Sequence, residues 1–547
     1  MLALSLAAKL CIAQLDSTGW YKVTWPLGAK RTLENAGQIY ALSVNLGKDS
    51  LARSPGEMIQ VLRRFTHLHE IYINGCFATP VDTLPDLSYL KNLEYLSLSE
   101  TKFTHLPASL YTLPHLTKIR LKNNVNIIPV ELPLFKGEVE VLLFNIEIKN
   151  VSESIEKLKN LKTLVIEGCK EGSDLPDCLK ELTWLYRLEL LYNENIQGLP
   201  AFLGSLIELR ELKIEGLKLT KLPPSLSKLT KLEFLDVSRS SDLTSTLGVE
   251  KLTNLKRLRF SQDEKLEKLP KSIGRLSKLE ELEIDYCKSF VELPSSVSQL
   301  KSLRKISLSD LDDLNWEKSI GSLSGCSNLR SITIKGYPGS RQTTFPGILA
   351  TLPITELHVK EIWDSKDDPK FKWKESLEIL SKIKTLKTLE ISGAHLKVIP
   401  PEMALLQQID SLDLSKNEFR DAATSFSSLQ LLDLKFLSLS YCGLKSWPGE
   451  LCNLENLRSL DLSKNRIGDV PPCIRSMRSL ETLNLSTQNS QDYYDTTPYK
   501  MLEKVPAELY TLPSIKCLDL SKNPDIKETK DEIQKQLPKE CLLIYDH

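Results

Sequence analysis

Eleven cysteines and seven histidines are the residues of this 547-residue chain with the widest chemical reach. They supply thiolate nucleophiles, disulfides or zinc ligands wherever spacing brings them together. Their spacing speaks against all three. Cys76, Cys169, Cys287 and Cys442 close the similar strings IYINGC, LVIEGC, LEIDYC and LSLSYC. They therefore share one position of a repeating pattern, and they pair only if neighbouring copies stack them. Cys178, Cys326, Cys452, Cys473, Cys517 and Cys541 show neither CxxC spacing nor a paired terminal cluster. Reduced, mostly buried thiols are the expectation. His67, His69, His105, His115, His358, His395 and His547 lack ligand spacing with cysteine, so no metal is expected. With no glycine-rich phosphate loop, HExxH or GxSxG, neither a cofactor nor a catalytic centre is expected.

What holds these residues apart is the architecture, and composition bounds it. The 71 Lys and Arg balance 71 Asp and Glu, which gives no general electrostatic attraction to nucleic acid or an anionic membrane. A hydrophobic fraction of 41% supports a packed core, and no long apolar run supports a membrane span.

One string recurs: L-x-x-L-x-L-x-x-N/C/T. It appears as Leu93/Leu96/Leu98/Thr101, Leu116/Ile119/Leu121/Asn124, Leu185/Leu188/Leu190/Asn193, Leu457/Leu460/Leu462/Asn465 and Ile515/Leu518/Leu520/Asn523. About twenty such units, about 23 residues apart, run from Ile39 to Asn523. A Leu-Pro or its equivalent follows most of them, as at Leu106-Pro107, Leu175-Pro176, Leu222-Pro223, Leu293-Pro294 and Val470-Pro471. The alternating x-L-x-L-x segment reads as a short strand with both leucines on one side. The Asn, Cys or Thr sits where the chain turns inward and can satisfy buried turn backbone. The downstream x-L-x-x-L has helical spacing. No single unit buries its leucines alone, whereas stacked units bury a continuous core.

These motifs resemble the leucine-rich repeat family over close to nine-tenths of the chain. The resemblance implies an α/β solenoid: a curved horseshoe with a parallel sheet on the concave face and short helices outside. Residues 39–525 form the expected solenoid, with enlarged repeats at 361–384 and 488–504. The first should carry a longer outer helix over Glu375–Ile383; the second is polar and bears Tyr493, Tyr494 and Tyr499. Residues 14–38, with the alternating WYKVTW, read as an N-terminal cap. Residues 526–547 read as a C-terminal cap in which Asp525 or Thr529 caps a helix, Pro538 ends it and Cys541 packs in a final strand. The paired-cysteine caps of plant and animal extracellular members are absent, and the two ends resemble bacterial, Bacteroidetes-type members. Residues 1–13 resemble the tail of a secretory signal cleaved after Ala13, although Lys9 interrupts the apolar run. Export is the expectation, with a cytoplasmic protein as the alternative.

On the concave face the x positions point outward. The candidates for binding a protein partner there are Tyr72, Tyr95, Lys118, Arg120 and Lys122, bordering an apolar strip of Val141, Leu143, Val165 and Leu191. The inserted Tyr493, Tyr494 and Tyr499 are further contact candidates. Arg257 and Arg259, one repeat before Glu281, Glu283 and Asp285, are placed to neutralise them across the sheet. Ser411/Asp413/Ser415, Ser459/Asp461/Ser463 and Cys517/Asp519/Ser521 read as consensus positions. The expected function is a monomeric, non-enzymatic scaffold recognising another protein, without nucleic-acid binding or membrane insertion. An intracellular signalling adaptor and a glycan or peptidoglycan-fragment module are the alternatives.

Overall fold

The computed structural model describes residues 14–15, 21–24, 39–46, 54–77, 81–123, 129, 131–144, 153–169, 175–196, 198–336, 343–362, 371–419, 426–488 and 502–546. Residues 1–13, Tyr493, Tyr494 and Tyr499 lie outside them. The chain falls into two compact units, residues 1–259 and 260–547.

In the first unit the strands are β1 (Gln14–Leu15), β2 (Tyr21–Thr24), β3 (Ile39–Asn45), β4 (Glu70–Asn74), β5 (Tyr95–Ser99) and β6 (Lys118–Lys122). They continue with β7 (Glu138–Phe144), β8 (Leu161–Glu167), β9 (Arg187–Leu191), β10 (Glu211–Glu215) and β11 (Phe234–Ser238). From β3 to β11 each strand pairs in parallel with the next in chain order. The alternating WYKVTW supplies β2, which pairs with β1 antiparallel and with β3 in parallel. β12 (Arg257–Ser261) contains the division between the units.

The second unit holds β13 (Glu281–Asp285), β14 (Lys305–Ser309), β15 (Ser331–Lys335), β16 (Glu356–Lys360), β17 (Thr388–Ser392) and β18 (Ser411–Asp413). After them come β19 (Phe436–Ser438), β20 (Ser459–Asp461), β21 (Thr482–Asn484), β22 (Cys517–Asp519) and β23 (Leu542–Ile544). These too form a parallel ladder in chain order. Within each unit the fold is therefore a leucine-rich repeat solenoid, with the parallel sheet on one side and short helices on the other.

The repeat string explains each layer. Strand leucines such as Leu188, Leu190, Leu212 and Ile214 are at most 2% exposed, and each is worth about 1.5–3 kcal/mol when fully buried. The Leu-Pro signal starts a single turn of 3-10 helix, as at Asp177–Glu181 after Pro176 and Ala201–Ser205 after Pro200. Proline at φ −66° to −68° holds the entry extended, and Leu179 or Leu203 then closes the core from outside.

The asparagine of the string does the buried polar work expected of it. Asn465 donates to the carbonyls of Leu439 and Leu462 at 2.9 and 2.8 Å, and its Oδ1 accepts from the backbone N–H of Cys442 and Leu444 at 3.0 and 3.1 Å. Asn417 repeats the arrangement one stage earlier, bonding to Ile391, Leu414, Ala394 and Leu396. Where cysteine takes the place, the thiol becomes a weak donor: Cys442 Sγ lies 3.2 Å from the Leu414 carbonyl. Burial pushes the Cys442 and Cys287 thiols up to about 12 and those of Cys169 and Cys326 up to about 11, so all four stay protonated and inert.

The expectation of unpaired thiols fails at one place. Cys452 and Cys473 form a disulfide with their Cα atoms 5.7 Å apart. They are 21 residues apart, one repeat, and both lie on outer turns, Gly449–Asn453 and Pro472–Ser476. Stacking thus joins them although no sequence motif marks them as a pair.

The expected enlarged outer helix is present as an α-helix over Trp373–Leu380, burying Leu377 and Leu380. After β22, Thr529 rather than Asp525 caps the helix Lys530–Gln536 through a reciprocal capping box with Glu532. Cys541 is buried immediately before β23. Among the described residues no helix is long and apolar enough to cross a membrane.

Candidate functional site

A left-handed residue follows most strands. In the first unit these include Glu100, Asn123, Tyr192 and Arg239, with φ between 52° and 55°, and Gly75, Gly168 and Gly216. A non-glycine residue pays roughly 1–2 kcal/mol for this conformation. The turn swings its side chain to the rim of the open sheet face while the next residue dives into the core.

The open face itself is built by register. Tyr95 sits beside Glu70 and Lys118; Tyr72 beside Ser97, and Ser97 beside Arg120; Arg120 beside Glu140; Lys122 beside Leu142; and Leu142 beside Val165. The rings of Tyr72 and Tyr95 meet at 5.4 Å, tilted by 54°. The Arg120 guanidinium lies 5.5 Å from the Tyr95 ring centroid, within cation–π range. The same guanidinium donates from Nε to Glu140 at 2.6 Å, and Lys118 Nζ reaches the other carboxylate oxygen at 2.6 Å. Glu140 is buried under these two cations. The Tyr72 hydroxyl donates to Glu70 at 2.7 Å; burial and that bond hold its phenol far above the usual value. Burial pushes Tyr95 up to about 12, so both rings are neutral at any physiological pH. Lys122 lies 4.9 Å from the centroid of Phe144, and Val165 is 7% exposed.

Seven of the nine described candidates therefore lie on this face: Tyr72, Tyr95, Lys118, Arg120, Lys122, Val165 and Leu191. Val141 and Leu143 do not. They are 3% and 2% exposed, side by side with Leu121, Leu164 and Ile166 in the core. Leu142 and Phe144 take the outward places instead. The cause is the spacing of β7, only 20 residues after β6 in register, and a ladder irregularity between Val139 and Glu140. EVEVLLF is apolar on both faces at its end, so composition did not reveal the one-residue shift. The alternation of Val139, Val141 and Leu143 was the usable signal.

Beyond this patch the charges pair with each other. Arg187 binds Glu189 and lies 3.1 Å from Glu211, and Lys213 lies 2.8 Å from Glu215. Arg259 lies 3.7 Å from Asp236, and Arg257 stacks 4.5 Å from the centroid of Phe234, so both engage the preceding strand. In the second unit Asp413, Asp461 and Asp519 each accept the backbone N–H of the serine two residues on, at 2.8, 2.9 and 2.9 Å. They are turn-forming residues. Among the described residues no group of three or more His, Cys, Asp or Glu is arranged to hold a metal ion.

Repeats of this geometry, carrying a surface rather than a cleft, define a class, and comparison places the chain in it. The family described as leucine-rich repeat region matches residues 50–215 and 195–371, and leucine-rich repeats in two copies match 432–472 and 455–492. The chain belongs to the leucine-rich repeat family. It is 26% identical over 395 residues to a putative disease resistance protein of Arabidopsis thaliana, covering 61% of this chain and 33% of that protein. A probable disease resistance protein of the same plant is 32% identical over 118 residues, 21% of this chain and 13% of that protein. The chain thus spans a third or less of the length of these relatives. They are plant proteins, and give no support to the bacterial likeness read from the chain ends. Among solved structures, a TLR13–ssRNA13 complex aligns with a TM-score of 0.55 at 19% identity, over 93% of this chain and 78% of that one, a likeness of fold.

Proposed function

We propose that the chain is a non-enzymatic recognition module that binds a protein partner on the open face of its first unit. One observation carries this reading: Tyr72, Tyr95, Leu142 and Phe144 stand on adjacent strands β4, β5 and β7 with the basic strand β6 between them, while Lys118 and Arg120 are held by Glu140. Such a surface offers aromatic and apolar contact area whose side chains are already ordered, so binding loses little conformational entropy. The pairing of its cations within the protein favours a protein partner over nucleic acid. Membership of the leucine-rich repeat family supports a recognition role.

A photo-crosslinking residue at Leu142 tests it in source-cell extract. It should capture a defined protein, and Arg120→Glu should abolish the capture. Equal capture from Leu247, which is 67% exposed and lies outside the strands, sinks the reading. Binding to an oligosaccharide panel that is lost on Tyr95→Ala would assign the face to glycans instead. The compartment is decided by the first residue of the natural protein: Gln14, outside the cytoplasm, supports an exported module, and retention of Leu2 to Ala13 supports an intracellular adaptor.

A further inference from the structure

The string LDLSKN occurs three times in the second unit, at 412–417, 460–465 and 518–523. Each copy places its lysine at the left-handed position: Lys416, Lys464 and Lys522 have φ of 59°, 56° and 57°. All three side chains are exposed, and none has an ion pair or hydrogen bond among the described residues. Their direction is fixed from below, because Asn417, Asn465 and Asn523 are buried and bonded to the turn backbone. β18 to β22 are successive neighbours in the ladder, so the lysines stand on every second strand. Two spacings of about 4.8 Å put them roughly 9.6 Å apart.

Between the first two stands Tyr441, also left-handed and 52% exposed. Lys416, Tyr441 and Lys464 line an open pocket of about 390 Å³ together with Ser438, Ser440 and the carboxylates of Asp413 and Asp461. Thr487 holds the corresponding place between Lys464 and Lys522.

A polyproline II helix has three residues per turn and advances about 9.3 Å per turn. Its side chains at i, i+3 and i+6 therefore fall on one edge at nearly the lysine spacing. Prolines between them would meet an exposed aromatic ring, the usual partner of such segments. We propose that the rim of Lys416, Lys464 and Lys522 binds an acidic, proline-containing peptide in this conformation, with a carboxylate at every third residue opposite a lysine and a proline against Tyr441. Asp413, Asp461 and Asp519 lie three residues before the lysines, behind Ser415, Ser463 and Ser521, whose N–H groups hold their Oδ1 atoms; Asp413 and Asp461 form the inner side of the Tyr441 pocket. These carboxylates repel anions on the inner side of the pocket, so a continuous polyanion such as single-stranded nucleic acid or a sulfated glycan is disfavoured, whereas acids confined to the single edge that faces the lysines point away from them.

The test is fluorescence anisotropy at low ionic strength with the full chain and labelled peptides. The probe is a twelve-residue (Glu-Pro-Pro) repeat; its control has the same composition with the four glutamates contiguous. The repeat should bind at least about tenfold more tightly than the control, and Lys464→Glu should weaken it about tenfold, a single charge reversal among three contacts. Lys416→Glu and Lys522→Glu should act in the same direction, Lys271→Glu should have no effect, and added salt should weaken binding. These lysines are exposed, so far-ultraviolet circular dichroism of the variants should match the parent. Equal binding of both peptides, absence of saturable binding at millimolar probe, or indifference to the triple lysine variant overturns the proposal. Tighter binding of an oligothymidylate or heparin with the same lysine sensitivity overturns it too, by showing a general polyanion site. Leu142→Glu, in the first unit, should leave peptide binding intact, which separates this outcome from that of the proposed protein-binding face.

Discussion

Leu142 and Leu143 are adjacent in sequence and opposite in fate: Leu142 stands on the open face beside Val165, and Leu143 is 2% exposed against Ile166 in the core. The consequence for mutation is sharp. Leu143→Glu should destabilise the first unit by more than about 3 kcal/mol, since a buried charge without a partner cannot be accommodated. Leu142→Glu should change stability by less than about 1 kcal/mol. Urea midpoints of the two variants check this; equal midpoints would return β7 to the opposite register.

Asn465 serves five backbone groups at once, the N–H groups of Cys442 and Leu444 and the carbonyls of Leu439, Leu462 and Ser463. Replacing it by alanine leaves two N–H groups and three carbonyls without it, at a cost of about 2–4 kcal/mol. Native-state hydrogen exchange should show the amides of Cys442 and Leu444 losing protection before those of β13 and β14. Uniform loss across the second unit would contradict a local role.

Glu390 gives a pH signature. Burial raises its pKa, but hydrogen bonds from His358, Ser392 and Lys360 outweigh it and hold the carboxyl at about 2. The folded value lies below the unfolded one near 4.5, so the stabilisation is complete above that pH and drains away as pH falls toward 2. About 2 kcal/mol, allowing for screening by water, should be lost over this window. Glu390→Gln should flatten the difference between unfolding at pH 5.5 and pH 3; an unchanged slope would remove Glu390 as the cause.

The Cys452–Cys473 disulfide closes a loop of about one repeat. Cys473→Ser should cost about 2–3 kcal/mol under oxidising conditions and almost nothing in dithiothreitol. Thermal melts of both proteins in both conditions make the comparison, and a cost that persists under reduction would assign the effect to packing.

The alternation of leucines and the asparagine after them made the solenoid layers legible, because both follow from a period that the core enforces. The chemistry of Asn465 was legible for the same reason: an asparagine at a buried turn has few other uses. β7 was not, since Val139 to Phe144 is almost wholly apolar and the register depends on neighbours 20 residues away. The disulfide escaped because Cys452 and Cys473 become neighbours only after the repeats stack. The rim row was hidden most completely. Lysine, tyrosine and threonine carry no sequence mark of positive φ, so nothing distinguishes Lys416 from any solvated lysine until the turn is seen.

That turn separates two kinds of inheritance within one short string. Leu414 and Asn417 are answerable to the core, and a change in either costs stability; the side chain of Lys416, between them, is exposed and is constrained only by the positive φ of its own backbone. A row of such positions, one per repeat, can be rewritten by single substitutions without renegotiating the interior. Duplication of a repeat adds one more writable character to the row at a fixed pitch. The solenoid is in this sense a type bed, in which the lettering changes and the spacing does not.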